Sequence, residues 1–175
     1  MPHKPTQLLV VYVVDEPGVL NRVASVFRRR AFNIASISVG HCERRGLARM
    51  TIAIEGDTNH ARLAAANLRK SLRVVSVDNV SETARVEREL ALLKVTVSAE
   101  KRADVLKTCE VFRARVVDVG REALTVEITG TSAKIDGLVD VLEPFGIAEL
   151  ARSGTLAMTR SGKPVSEAEK VTVPD

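Results

Sequence analysis

Short apolar runs alternate with polar breaks along the chain, and the period of the runs changes in a repeating order. Residues 7–14, "QLLVVYVV", are apolar on both parities (Leu8, Val10 and Tyr12; Leu9, Val11 and Val13). That pattern predicts a strand covered on both faces. "DEPG" interrupts it, and over 18–31 Leu20, Val23 and Phe27 recur at helical spacing, with Arg22, Ser25 and Arg29 off that face. "NIASISV" predicts a second strand, and "HCERRG" is a polar turn closing on glycine. "LARMTIAIE" then alternates, with Ala48, Met50, Ile52 and Ile54 against Arg49, Thr51 and Glu55. Asp57 and Thr58 are placed to cap a helix with the stripe Ala61, Ala65, Leu68 and Leu72. "VVSVDNV" closes the unit as a strand, so the order is βαββαβ.

Residues 82–89 are polar and read as a linker, after which the order repeats. "LALLKVTVS" is a strand, 101–113 a helix facing inward through Val105, Leu106, Cys109 and Phe112, and "ARVVDVG" a strand. "ALTVEITG" alternates Leu124, Val126 and Ile128 against Thr125, Glu127 and Thr129. Residues 132–145 form a helix through Ile135, Leu138, Val139, Leu142 and Phe145, and "IAELARSGTLAMTR" is strand-like. The expected organisation is therefore α+β: two tandem ferredoxin-like sandwiches over 6–81 and 90–160, and a loose polar tail over 161–175. Each unit is small, and the first strand needs a second cover, so mutual packing or oligomerisation is expected. The periodicity of 1–81 is complete before the linker, so that fragment is expected to fold alone.

Composition narrows the function. The 175 residues are 45% hydrophobic and 27% charged, the balance of a globular chain, and no apolar run reaches the length of a membrane span. The beginning, Met-Pro-His-Lys-Pro, lacks a secretory apolar core, which makes the cytoplasm the expected location. The net charge of +4 is mostly dispersed, and Arg28–Arg30 suit the negative end of a helix dipole. Only 3% of residues are aromatic and Trp is absent, a poor set for stacking on bases, so no nucleic-acid partner is expected. Cys42 and Cys109 have no metal spacing, and Cys109 reads as a small core residue. His41 and Cys42 are adjacent, but strand neighbours point to opposite faces, so they make no dyad. No catalytic constellation and no metal site emerge, and a single Gly18 does not make a dinucleotide loop.

The strand–turn–helix at 15–20 suits a small zwitterion. Pro17 fixes φ near the helix start, and Gly18 offers an N–H with no side chain in the way. The positive helix end attracts a carboxylate, Asp15 can accept from an ammonium, and Val19 and Leu20 can form an apolar wall. From the turn alone a plainer reading stays open, in which Asp15 or Glu16 caps the helix.

The series "DEPGVLNRVASVFRRRAFNIASISVG", "RMTIAIEGD", "VERELALLKV", "FRARVVDVG", "LTVEITG" and "KIDGLVDVLEPFGIAELARSG" closely resembles the small regulatory subunits of acetolactate synthase, from about Leu8 to Arg160. D-x-P-G-x-L alone resembles the broader ACT-domain class of amino-acid sensors. The resemblance implies a non-catalytic subunit with no cofactor of its own. It would activate a large subunit expected to carry thiamine diphosphate, Mg and FAD. It would also confer feedback inhibition by a branched-chain amino acid, usually valine. The effector residues it implies are Asp15, Gly18, Val19, Leu20, Asn33 and Ile34. The chain departs from the pattern at Asp15, where Asn is usual, and in "GHCERRGLA", where the usual turn contains proline.

Topology adds a constraint. In β-α-β order the turn at Asp15 and the start of the second strand at Asn33 fall at opposite sheet ends, roughly 25 Å apart for an eight-residue strand. One ligand can meet both only across two chains, and a two-fold dimer would hold two such sites. Two rival readings are a stand-alone sensor without an enzyme partner, and an RNA-binding module. The second is disfavoured because only Tyr12 is aromatic on the central strands.

Overall fold

The structure, a computed structural model, describes residues 6–160. The tail expected over 161–175 lies outside the described residues. The chain divides into two compact units, 6–86 with 155–160, and 87–154.

In the first unit β1 (Thr6–Val14), α1 (Val19–Arg29), β2 (Ile34–His41), β3 (Leu47–Glu55), α2 (Thr58–Leu68) and β4 (Val74–Asn79) follow the βαββαβ order. The sheet is antiparallel, in the order β2-β3-β1-β4. One face of β1 and β3 (Leu9, Val11, Met50, Ile52 and Ile54) packs under Val23, Phe27, Ala61 and Leu68 of the two helices. The alanines of α2 let that helix lie close to the sheet, and Asp57 accepts a hydrogen bond from the His60 N–H at its start.

The other face of β1 is also covered, as its two-sided apolar pattern requires. Leu8, Val10 and Tyr12 cluster with Ala53, Val80 and Ala157. The guanidinium groups of Arg44 and Arg49 lie 5.9 and 6.0 Å from the Tyr12 ring centre, and Arg49 donates to the Ala157 carbonyl. Part of that cover is Ala157 of β9 (Leu156–Thr159), and β5 spans Arg85–Thr96. The Arg160 N–H donates to the Ala84 carbonyl at 2.8 Å. The second face therefore requires no further chain. Residues 85–89 belong to β5 rather than to a linker, and 155–160 belong to the first unit rather than the second.

The second unit contains α3 (Arg102–Phe112), β6 (Arg115–Val119), β7 (Ala123–Gly130), α4 (Ser132–Leu142) with a 3-10 turn, and β8 (Ile147–Arg152). Its strand order is β6-β7-β5-β8. Ala91, Leu93 and Val95 alternate inward against Leu124, Val126 and Ile128, beneath Val105, Cys109, Ile135, Leu138 and Leu142. Leu90 and Leu92 stay partly exposed on the opposite face. The long strand-like segment expected after Phe145 is broken at Gly154 (φ 77°) into β8 and β9.

Local packing overrode simple periodicity in three places. Val19 is buried where Leu20 was expected, and Leu20 is 47% exposed. Leu72 lies beyond α2 and is 81% exposed, its place in the stripe taken by Ala64. Leu106 is partly exposed. Both units are antiparallel α+β sandwiches, as the repeated order predicts.

Candidate functional site

β1 ends at Val14, opposite the Leu47 start of β3, and the Asp15 N–H donates to the Gly46 carbonyl at 2.9 Å. Ile34 begins β2 opposite Ile54, and the Asn33 carbonyl accepts from the Glu55 N–H at 3.0 Å. Glu55 in turn lies opposite Thr6, the first residue of β1. Asp15 and Asn33 are thus at opposite ends of the same sheet, and a single chain does not bring them together. Both are exposed.

Gly18 stands immediately before α1 with φ +85°. An added Cβ would meet no atom within 4 Å, so what the position demands is left-handed backbone rather than space. α1 has no side-chain cap and no acidic residue in its first turn. The Glu16 carboxylate instead pairs with Arg73 at 3.0 Å and Arg22 at 3.8 Å. The plainer reading of the turn, a carboxylate capping the helix, is not realised. Val19 packs into the core, so of the two wall residues only Leu20 faces outward. Ile34 is half-buried against the same core.

One neighbour of Asp15 is absent from the sequence-based site. His41 closes β2, and its Nδ1 lies 3.1 Å from the Asp15 Oδ2. The signal was available in the element order: in a βαββ unit the end of β2, the start of β3 and the end of β1 share one sheet end. Cys42 points away from His41. Its thiol lies 3.4 Å from the Leu47 carbonyl and 3.6 Å from that of Arg44, so the adjacent pair makes no dyad.

Two other features lie elsewhere. A hollow of about 470 Å³ is lined by Val26, Arg29, Arg30, Asn67, Lys70 and Ser71, where α1 and α2 end. Cations there sit at the negative ends of two helix dipoles. In the second unit the buried Glu89 carboxylate meets Arg152 at 2.7 and 2.9 Å and Ser132 Oγ at 2.8 Å. Arg152 also reaches Asp136 at 2.6 Å. Burial works against the Glu89 charge, but hydrogen bonds from Arg152 and Ser132 hold its carboxyl below the usual range. Cys109 is buried among apolar side chains, which pushes its thiol up and away from reactivity. Among the described residues no three His, Cys, Asp or Glu side chains gather as a metal site. No helix described is long and apolar enough to cross a membrane.

Comparison with known proteins adds the family. Residues 9–76 match a model described as an AHAS small subunit-like ACT domain, and 88–161 match one described as the small subunit of acetolactate synthase. A probable acetolactate synthase small subunit of Archaeoglobus fulgidus is 43% identical, over 89% of this chain and 97% of its own. An acetolactate synthase small subunit of Mycolicibacterium smegmatis is 42% identical, over 94% of this chain and 97% of its own. The crystal structure of the acetolactate synthase small subunit from Thermotoga maritima has a TM-score of 0.82 at 37% identity, covering 90% of this chain and 99% of that one. Two α+β units in tandem, each matched by a small-subunit family model, and relatives similar along nearly their whole length lead to one assignment: the chain belongs to the acetolactate synthase small-subunit family.

Proposed function

We propose that this chain is the regulatory, non-catalytic subunit of an acetolactate synthase. It binds a thiamine-diphosphate-dependent large subunit, raises its activity, and makes it sensitive to a branched-chain amino acid, valine first. Thiamine diphosphate, Mg and FAD belong to that partner in this reading, and the pair works in the cytoplasm. The observation that carries the proposal is similarity over 97% of a named small subunit, which leaves little of that relative unmatched.

The effector site in this reading lies between two copies. β2 is an edge strand of the first sheet, with open backbone N–H and C=O groups. Antiparallel pairing of two β2 edges about a two-fold axis would bring the Ile34 end of one strand beside the His41 end of the other. Since His41 adjoins Asp15, that pairing sets Asn33 and Ile34 of one copy near Asp15, Gly18 and Leu20 of the second. The ammonium of the amino acid meets Asp15, its carboxylate meets the start of α1 at Gly18, and its side chain meets Leu20 and Ile34. Val19 supports the turn from within the core.

Acetolactate synthesis by the large subunit, with and without this protein and across a valine titration, tests the proposal. Higher activity with the protein, and its decline with valine, are expected. A protein that neither binds nor activates the large subunit, yet binds an amino acid, would favour the stand-alone sensor.

A further inference from the structure

Resting on the effector-site reading above, we propose that His41 is a further residue of that site. It pairs with Asp15 and competes with the amino group of the ligand for the same carboxylate.

Asp15 follows β1 and His41 closes β2. They are distant in sequence, and the fold sets His41 Nδ1 3.1 Å from Asp15 Oδ2. The other charges around them are engaged with one another. Glu16 pairs with Arg73 and Arg22, Glu43 with Arg44 at 3.7 Å, and Arg49 reaches Thr51 and the Ala157 carbonyl. Arg45 is the remaining cation of the turn. Asp15 is thus the carboxylate that faces His41. Side-chain exposures of 90% for His41 and 42% for Asp15 leave the pair weakly held, so giving it up costs the fold little.

A ligand ammonium needs an oxygen of Asp15. A neutral imidazole can yield that oxygen, or turn its free nitrogen to accept from the ammonium. An imidazolium can do neither: it neutralises Asp15 and repels the incoming cation. Histidine side chains change charge between pH 5 and 8. A free amino acid keeps both its charges across that window. Affinity should therefore rise with pH, and the rise should depend on His41. An Asn in place of Asp15 would carry no charge for His41 to hold.

Calorimetric titration of valine, then leucine and isoleucine, into the full-length protein tests this at about pH 5.5 and about pH 8.5. Wild type is compared with His41→Gln and His41→Lys, with circular dichroism to verify folding, which substitution at so exposed a side chain should not disturb. Wild-type affinity should rise about two- to fivefold with pH. His41→Gln should bind with equal affinity at both values and more tightly than wild type at the lower one. His41→Lys should bind weakly at both. A His41→Gln protein that keeps the wild-type pH dependence overturns the role of His41 while leaving the effector site standing. Failure of all three amino acids to bind wild type at either pH overturns the site itself, and this inference with it.

Discussion

Gly18 and Glu89 show how differently single residues are constrained here. At Gly18 the space for a side chain is open and the backbone is not, since φ is +85°. Gly18→Ala should cost roughly 1–2 kcal/mol of stability, the penalty for a Cβ in left-handed backbone, which chemical denaturation will measure. Gly18→Asp adds a negative charge where the proposed site would hold the effector carboxylate, and should abolish valine inhibition while activation of the large subunit persists. Equal valine sensitivity in that variant would refute the placement. Glu89 is held instead by its partners. Its carboxyl is below the usual range in the native state, so on acidification the unfolded chain takes up the proton first. The stabilisation is full above the ordinary glutamate value, about 4.3, and is lost as pH falls through the lowered native one. Glu89→Ala leaves Arg152 facing Asp136 alone and should destabilise the fold. Because Arg152 is partly exposed, the loss should fall toward the low end of roughly 3–5 kcal/mol. Glu89→Gln should flatten the dependence of stability on acid, read from denaturant midpoints between about pH 3 and pH 6.

At the scale of elements, β1 and β5 have equivalent places in their sheets but different surroundings. β1 is buried on both faces, and β9 returns to cover the second one with Ala157. β5 keeps Leu90 and Leu92 partly exposed. The apolar parity of 7–14 announced the need for a second cover. It did not announce the source, a four-residue strand distant in sequence. A chain ending at Gly154 should therefore lose roughly 2–4 kcal/mol, the scale of re-exposing one or two large apolar side chains. It should also bind an apolar dye through the uncovered face of Leu8, Val10 and Tyr12. The fragment 1–81 carries the same defect, and should be less stable than its complete periodicity suggests. Wild-type stability and no dye binding in the chain ending at Gly154 would show that β9 contributes nothing to that face.

At the scale of the whole molecule, the separation of Asp15 from Asn33 makes the proposed effector site one that two copies would have to share. Asp15→Ala and Asn33→Ala should each weaken valine binding, by roughly 1–3 kcal/mol where a buried polar contact is lost. In a heterodimer of the two single variants, the inter-subunit arrangement leaves one site doubly damaged and one intact. Calorimetry on a tagged, purified heterodimer should recover about half the wild-type number of tight sites. Two weakened sites and no tight one would place each complete site within one chain, against the sheet geometry.

By itself, the sequence determined the elements and their order, because strand and helix periods are local properties of neighbouring residues. It determined the family as well, since the motif series runs through both units. It offered Asp15, Gly18, Val19 and Leu20 as a candidate ligand turn. Only the tertiary structure decided which face each borderline residue takes. Val19 displaced Leu20 in the core and Leu72 fell beyond its helix, because packing between layers settles what a loose stripe leaves open. It also decided contacts between residues remote in the chain: Ala157 beneath Tyr12, Arg152 on Glu89, and His41 on Asp15. Such pairs depend on strand order and register, which no local pattern encodes.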